Sequence, residues 1–178
     1  FSDNIKEWPR APDLSHVLDC IFLQDAINLT ITSSGVGTLD GAGKTWWGVP
    51  GVGYLVRQEN RPKLLTLQDT HNVLVENLRL INSPYWTFWA PNSNGLEVRY
   101  STIDARRSQL DSHDIIDLTA FNTDGFDVTG TNVWIHDCNI WNQDDCVCVK
   151  VCVCARCAIV GHRARSVDVD DVANPRCL

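Results

Sequence analysis

Residues 72–82 read NVLVENLRLIN, and related runs appear as NLTI at 28–31, NGLEVRYSTID at 94–104 and NVWIHDCNIWN at 132–142. Each begins on an asparagine and continues with the alternation of a strand, not the 3.6-residue period of a helix. The interval from Asn28 to Asn72 is twice that from Asn72 to Asn94, and the interval from Asn94 to Asn132 is one such unit plus an insertion. A loose repeat of strands and turns, about 22 residues long, is the signature of a solenoid, in which each unit buries its apolar face against the next. The spacing therefore predicts an all-β chain of stacked parallel strands about 4.8 Å apart, with equivalent positions of successive coils directly above one another. Val73, Val75, Leu78 and Leu80 would point inward, and Glu76, Asn77 and Arg79 would fall at or beside a corner. The competing reading is a β-sandwich in which the four asparagines coincide by chance.

Outside these runs the chain is less regular. The opening, FSDNIKEWPRAPDLSHV, contains two prolines and no periodicity, and reads as a lead-in. A glycine-rich stretch between the first and second runs suits tight turns and a long excursion. Trp46 and Trp47 within it suit packing on the side of a coil better than stacking on a sugar ring. Tyr85, Trp86, Phe88 and Trp89 form a second aromatic cluster, expected to fill a coil corner.

Composition narrows the function. The chain has 178 residues, 44% of them apolar, and a net charge of −7. That is enough apolar content for one core, and an acidic balance disfavours a nucleic-acid partner. No run of about 18 apolar residues is available to span a membrane. There is no methionine, so Phe1 is expected to begin a processed form or a fragment. The eight cysteines, six of them between Cys138 and Cys157, are compatible with disulfides in an oxidising compartment. Asn28-Leu29-Thr30 is a glycosylation sequon that points weakly the same way.

The chemistry concentrates in residues 122–146, NTDGFDVTGTNVWIHDCNIWNQDDC, which hold Asp124, Asp127, Asp137, Asp144 and Asp145. Asp124 and Asp144 are separated by close to one repeat unit, so stacking would bring them to the same side. Adjacent strand residues face opposite ways, so Asp144 and Asp145 share a site only if the backbone bends, as Asn142-Gln143 allows. Clustered carboxylates repel and raise one another's proton affinity, which suits a general acid beside a base. On the residues alone three explanations stay open: an acid–base site, a Ca²⁺ site, which would need about six to eight oxygen ligands, or a solvated structural corner.

Particular motifs resemble the polygalacturonases of glycoside hydrolase family 28. They are TLDGAGKTWW at 38–47, Arg61-Pro62, NSPYW at 82–86, NTDGFDV at 122–128 and NQDDC at 142–146, with NVWIHDCNI between the last two. The resemblance implies a right-handed parallel β-helix, here incomplete, that hydrolyses α-1,4-galacturonosyl links in pectin with inversion. Asp144 matches the general acid, Asp124 and Asp145 the carboxylates that activate water, and Asn122 a nearby substrate-site residue. His162, downstream of Asp145, is a partial match to the family's Gly-His-Gly, with Arg163 in place of the second glycine. The family's disulfide would map to Cys146 with Cys157. No metal or other cofactor is implied. The expected partner is pectic polysaccharide, with neither nucleic acid nor membrane, and the protein is expected to be a secreted monomer.

Beyond Lys150 the resemblance fades, and no Arg-x-Lys pair occurs to grip a substrate carboxylate. Residues 1–150 are therefore expected to form a partial pectinase-type domain. Residues 151–178 form an atypical Cys-rich tail outside native family sequence, expected from a truncated or mis-assembled end, although its alternating cysteines could bind a soft metal. The alternatives to an active hydrolase are an inactive truncated β-helix that at most binds pectic polysaccharide and, less favoured, a Ca²⁺-dependent lyase on a similar solenoid.

Overall fold

The computed structural model describes residues 7–12, 16–48, 61–108 and 119–150, and the backbone of Ala158–Arg163. Its strands are β1 (Ile21–Gln24), β2 (Ile27–Asp40), β3 (Leu65–Gln68), β4 (His71–Ile81), β5 (Phe88–Arg99), β6 (Thr102–Asp104), β7 (Phe126–His136), β8 (Asn139–Trp141), β9 (Val147–Val149) and β10 (Ala158–Arg163). Every pairing between these strands is parallel. They stack on three faces. The first runs β1, β3, then the starts of β5 and β7, then β9. The second runs through β2, β4, β5, β7 and β10. The third joins the end of β2 to the end of β4, then β6 and β8. This is the right-handed parallel β-helix expected from the sequence. No helix among the described residues is long and apolar enough to cross a membrane.

The register corrects the repeat in detail. Ile21 pairs directly with Leu65, so the long interval from Asn28 to Asn72 separates neighbouring coils and contains an excursion, not two coils. Leu65, Phe88, Phe126 and Val147 mark the same point on successive coils, and the step from Phe88 to Phe126 is lengthened by an insertion. One asparagine is also displaced. His71 pairs with Asn94 and Val73 with Leu96, which places Gly95, not Asn94, opposite Asn72. The true rung is Asn28, Asn72, Gly95 and Asn132, with φ of 54°, 54°, 77° and 54°. A left-handed backbone turns each coil there, and Asn, Asp and Gly adopt it with the least steric cost. Among the described non-glycine residues with positive φ, all but Ala42 and Tyr100 are Asn or Asp. Asn72 Nδ2 donates to Asn28 Oδ1 at 2.6 Å, so side chains reinforce the stacked corner. A second rung is Asn77, Tyr100 and Asp137, which follow the paired Glu76, Arg99 and His136.

Inward positions form apolar columns. Val73 lies beside Leu96 and Leu96 beside Val133, and Val75 beside Val98 and Val98 beside Ile135. These residues are buried, as are Leu78 and Leu80. Leu65, Phe88 and Phe126 form another column, with the two rings edge to face at 5.4 Å. Trp46 and Trp47 are completely buried, so they pack on the coil. Trp47 Nε1 donates to the Ser83 carbonyl at 2.9 Å. Of the second aromatic cluster, Phe88 enters the core, whereas Tyr85, Trp86 and Trp89 stay half-buried.

The β10 backbone lies parallel to β7, pairing Ala158 with Thr131 and His162 with Ile135. Residues 151–157 and 164–178, including Cys152, Cys154 and Cys157, lie outside the described residues.

Phe126→Ala is expected to cost about 3–5 kcal/mol, since it opens a cavity in a close-packed column. Ile27, at 66% exposure, should tolerate alanine within about 0.5 kcal/mol. Urea denaturation of the two variants checks the contrast.

Candidate active site

Strand pairing aligns a row of side chains immediately before the first face. Counting two positions back from Leu65, Phe88, Phe126 and Val147 gives Lys63, Trp86, Asp124 and Asp145. Backbone bonds hold the row: Thr87 N donates to the Asp124 carbonyl and Gly125 N to the Asp145 carbonyl, both at 2.8 Å. Gly125 is required by this close stacking, because a Cβ there would collide with the Cys146 carbonyl oxygen.

The bend anticipated before the paired aspartates is present. Asn142 is buried, and its Nδ2 donates to the Asp145 carbonyl at 2.8 Å. Gln143 N donates to Thr123 Oγ1 at 3.1 Å, which ties this turn to the preceding coil. Asp145 N donates to Asp144 Oδ1 at 3.0 Å. Asn122, in left-handed conformation at φ 57°, donates from Nδ2 to Asp144 Oδ2 at 3.1 Å. As a result Asp124, Asp144 and Asp145 bring one carboxylate oxygen each within 4.8 Å of one another. Calcium takes about six to eight oxygens. The carboxylates converge beside the ammonium of Lys150, 3.7 Å from Asp124 Oδ2.

Two further residues adjoin the cluster: Asp127, one of the five aspartates named from the sequence, and Lys150, which the sequence did not single out. Asp127 is completely buried, and Lys150 Nζ lies 2.7 Å from its Oδ1. The Lys150 ammonium also sits 4.3 Å from the centre of the Trp86 ring. Asp127 was visible in the motif, but its burial was not. Lys150 becomes part of the site because its amide donates to the Val128 carbonyl at 3.1 Å, which brings it alongside Asp127. The sequence offered only a lysine beyond a short strand. His162 has its backbone beside Ile135, and its side chain lies outside the described residues.

Burial, together with the charges of Asp127 and Asp144, pushes the Asp124 carboxyl up to about 7. Burial also raises Asp127, to about 6, against the opposing hydrogen bond and charge of Lys150. Burial acts to lower Lys150, but the hydrogen bond and charge of Asp127 outweigh it and leave the ammonium more firmly protonated than usual. The site therefore retains protons in mildly acidic solution, the condition that general acid–base chemistry needs.

A parallel β-helix carrying such a carboxylate cluster defines a class: solenoid proteins with an acidic site on one edge of the stack. The model of glycosyl hydrolases family 28 matches residues 15–156, and the chain belongs to that family. It is 35% identical over 124 residues to exopolygalacturonase A of Aspergillus niger, covering 69% of this chain and 26% of that protein. It is 34% identical over 125 residues to endopolygalacturonase I of Aspergillus aculeatus, covering 69% and 30%. Rhamnogalacturonase A of Aspergillus niger is 32% identical over 105 residues, covering 57% and 21%. The chain thus spans about a quarter to a third of the length of these polygalacturonases. A crystal structure of a hyperthermoactive exopolygalacturonase from Thermotoga maritima superposes with a TM-score of 0.55 at 23% identity, covering 74% of this chain and 34% of that one. That likeness supports the fold.

The raised carboxyls make a signed prediction. Asp124 and Asp127 bind protons more tightly when folded than when unfolded, so their contribution is fully present below about pH 4 and is lost as pH rises through about 6 to 7. The melting temperature should rise as pH falls from 8 to 5, and Asp124→Asn should flatten that dependence. Thermal melts across this range check it.

Proposed function

We propose that the protein is a polygalacturonase-type glycosidase that hydrolyses α-1,4-galacturonosyl links in pectin. The observation that carries this is the convergence of Asp124, Asp144 and Asp145 at one end of the first face, within 4.8 Å of one another. Asp144 is the general acid, and Asp124 and Asp145 activate the water. Asn122 orients Asp144 through its 3.1 Å hydrogen bond, next to the substrate. In the ligand-free site burial favours the proton on Asp124. The role of Asp124 as a base requires that proton to be released before water is activated. His162 is retained as a further catalytic candidate from its resemblance to the family motif. No cofactor enters the reaction.

Inversion of configuration rests on the family resemblance. Inverting pairs ordinarily stand about 6.5–9.5 Å apart and retaining pairs about 5–5.5 Å. The 4.8 Å here measures a closest approach of oxygens, not a separation of carboxyl groups. The anomeric form of the first product, followed by proton NMR, decides between the two outcomes.

The remaining expectations belong to the same proposal. Residues 1–150 make up the pectinase-type part, and 151–178 a tail that departs from it. The protein acts outside the cell as a monomer. Asn28 is an exposed sequon residue whose corner bond uses Oδ1, not Nδ2, the atom a glycan would occupy. Among the described cysteines, Cys20, Cys138 and Cys148 are free thiols. A bond from Cys146 to Cys157 is the pairing the resemblance implies. A second reading, an inactive β-helix that binds pectic polysaccharide, is favoured by the limited span of the family covered.

Reducing-end release from polygalacturonate between pH 3 and 7 is the expected result. Asp144→Asn should lower kcat by about 10²–10⁴-fold, the usual contribution of a positioned acid. Binding of oligogalacturonides by calorimetry without turnover would select the second reading, and products absorbing in the ultraviolet would indicate a lyase.

A further inference from the structure

We infer that Lys150 is a positioning residue of the carboxylate site: its ammonium opposes protonation of buried Asp127 behind Asp124 and so biases the working proton toward Asp124, Asp144 and Asp145. The kinetic part of this inference rests on the glycosidase reading above, and the electrostatic part does not.

Asp127 is completely buried, and an isolated buried carboxylate would neutralise itself by taking a proton. The 2.7 Å ion pair with Lys150 opposes that outcome. The same ammonium reaches Asp124 Oδ2 at 3.7 Å, so one cation touches both carboxylates that belong to NTDGFDV. Trp86 lies against it at 4.3 Å, and an aromatic face attracts an ammonium without neutralising its charge. The Lys150 side chain is 32% exposed, so its charge stands between the buried pair and solvent.

Neighbouring cations are engaged elsewhere. Arg61 donates to the carbonyls of Pro84 and Phe121 and lies over Tyr85. Lys63 pairs with Asp19 at 3.6 Å and lies over Trp89. The groups whose charges act on this cluster are therefore Asp124, Asp127, Asp144 and Asp145, Cys148 and Lys150 on and after β9, and Arg61 and Tyr85 on the preceding coil. If Lys150 is removed, Asp127 loses its counter-ion and competes with Asp124 for the proton. A residue that merely joined two coils would affect stability without changing which carboxylate is protonated.

The test uses the full chain, labelled with ¹³C at aspartate side-chain carboxyls, with Lys150→Met and Lys150→Arg variants. In Lys150→Met the Asp127 titration is expected to move up by about one pH unit or more, a tenfold or larger change in its ionisation equilibrium. The acid limb of kcat/KM on polygalacturonate should move up with it, and Lys150→Arg should restore both. Lys150→Gln gives the same readout if the methionine variant does not fold. An unchanged Asp127 titration, or an activity loss by one constant factor at every pH, overturns the inference. A wild-type chain that releases no sugar sinks the glycosidase reading, while the carboxyl titration still decides the role of Lys150.

Discussion

Backbone hydrogen bonding between successive parallel coils is the constraint on which the rest of this structure depends. Each strand satisfies its polar groups on the coil before and the coil after, so every coil must return to the same point. The turns that permit this fall in the left-handed region, and the rungs Asn28–Asn72–Gly95–Asn132 and Asn77–Tyr100–Asp137 meet that need at different corners. The long intervals between β2 and β3 and between β5 and β7 leave the pairings of Ile21 with Leu65 and Phe88 with Phe126 intact.

The same stacking creates the candidate site. Residues that are distant in sequence become axial neighbours, and Trp86, Asp124 and Asp145 follow one another along a single edge. Such closeness makes full ionisation unfavourable. The consequences are visible in the raised proton affinities of Asp124 and Asp127 and in the recruitment of Lys150 as a counter-charge. The bend held by Asn142 lets two adjacent aspartates serve one site, which a regular strand would prevent.

Much of the architecture was legible in the repeated runs. The inward set Val73, Val75, Leu78 and Leu80 is buried, and the Asn-led corners occur where turns are needed. Coil boundaries were less legible, because Asn94 imitates a corner residue while Gly95 occupies the corner. For the site, spacing suggested Asp124 with Asp144, and motif resemblance supplied Asp145 and Asn122. Asp127 was named only as one of five clustered aspartates and Lys150 was missed, since their pairing depends on the register between β7 and β9, which no local pattern encodes.

Alternating apolar residues, together with Asn and Gly at turn positions, determined by themselves that the chain would coil as stacked β-strands. Those preferences are local: side-chain direction has period two in a strand, and few residues tolerate a left-handed turn. Only the tertiary structure decided that the long interval from Ile21 to Leu65 makes one coil, that Trp46 and Trp47 are packing, and that a lysine beyond the paired aspartates stands against Asp127. These outcomes depend on which coil lies beside which and on the charge each burial leaves uncompensated. Residues 122–146 held the aspartates in sequence, and stacking made an electrostatic unit of them.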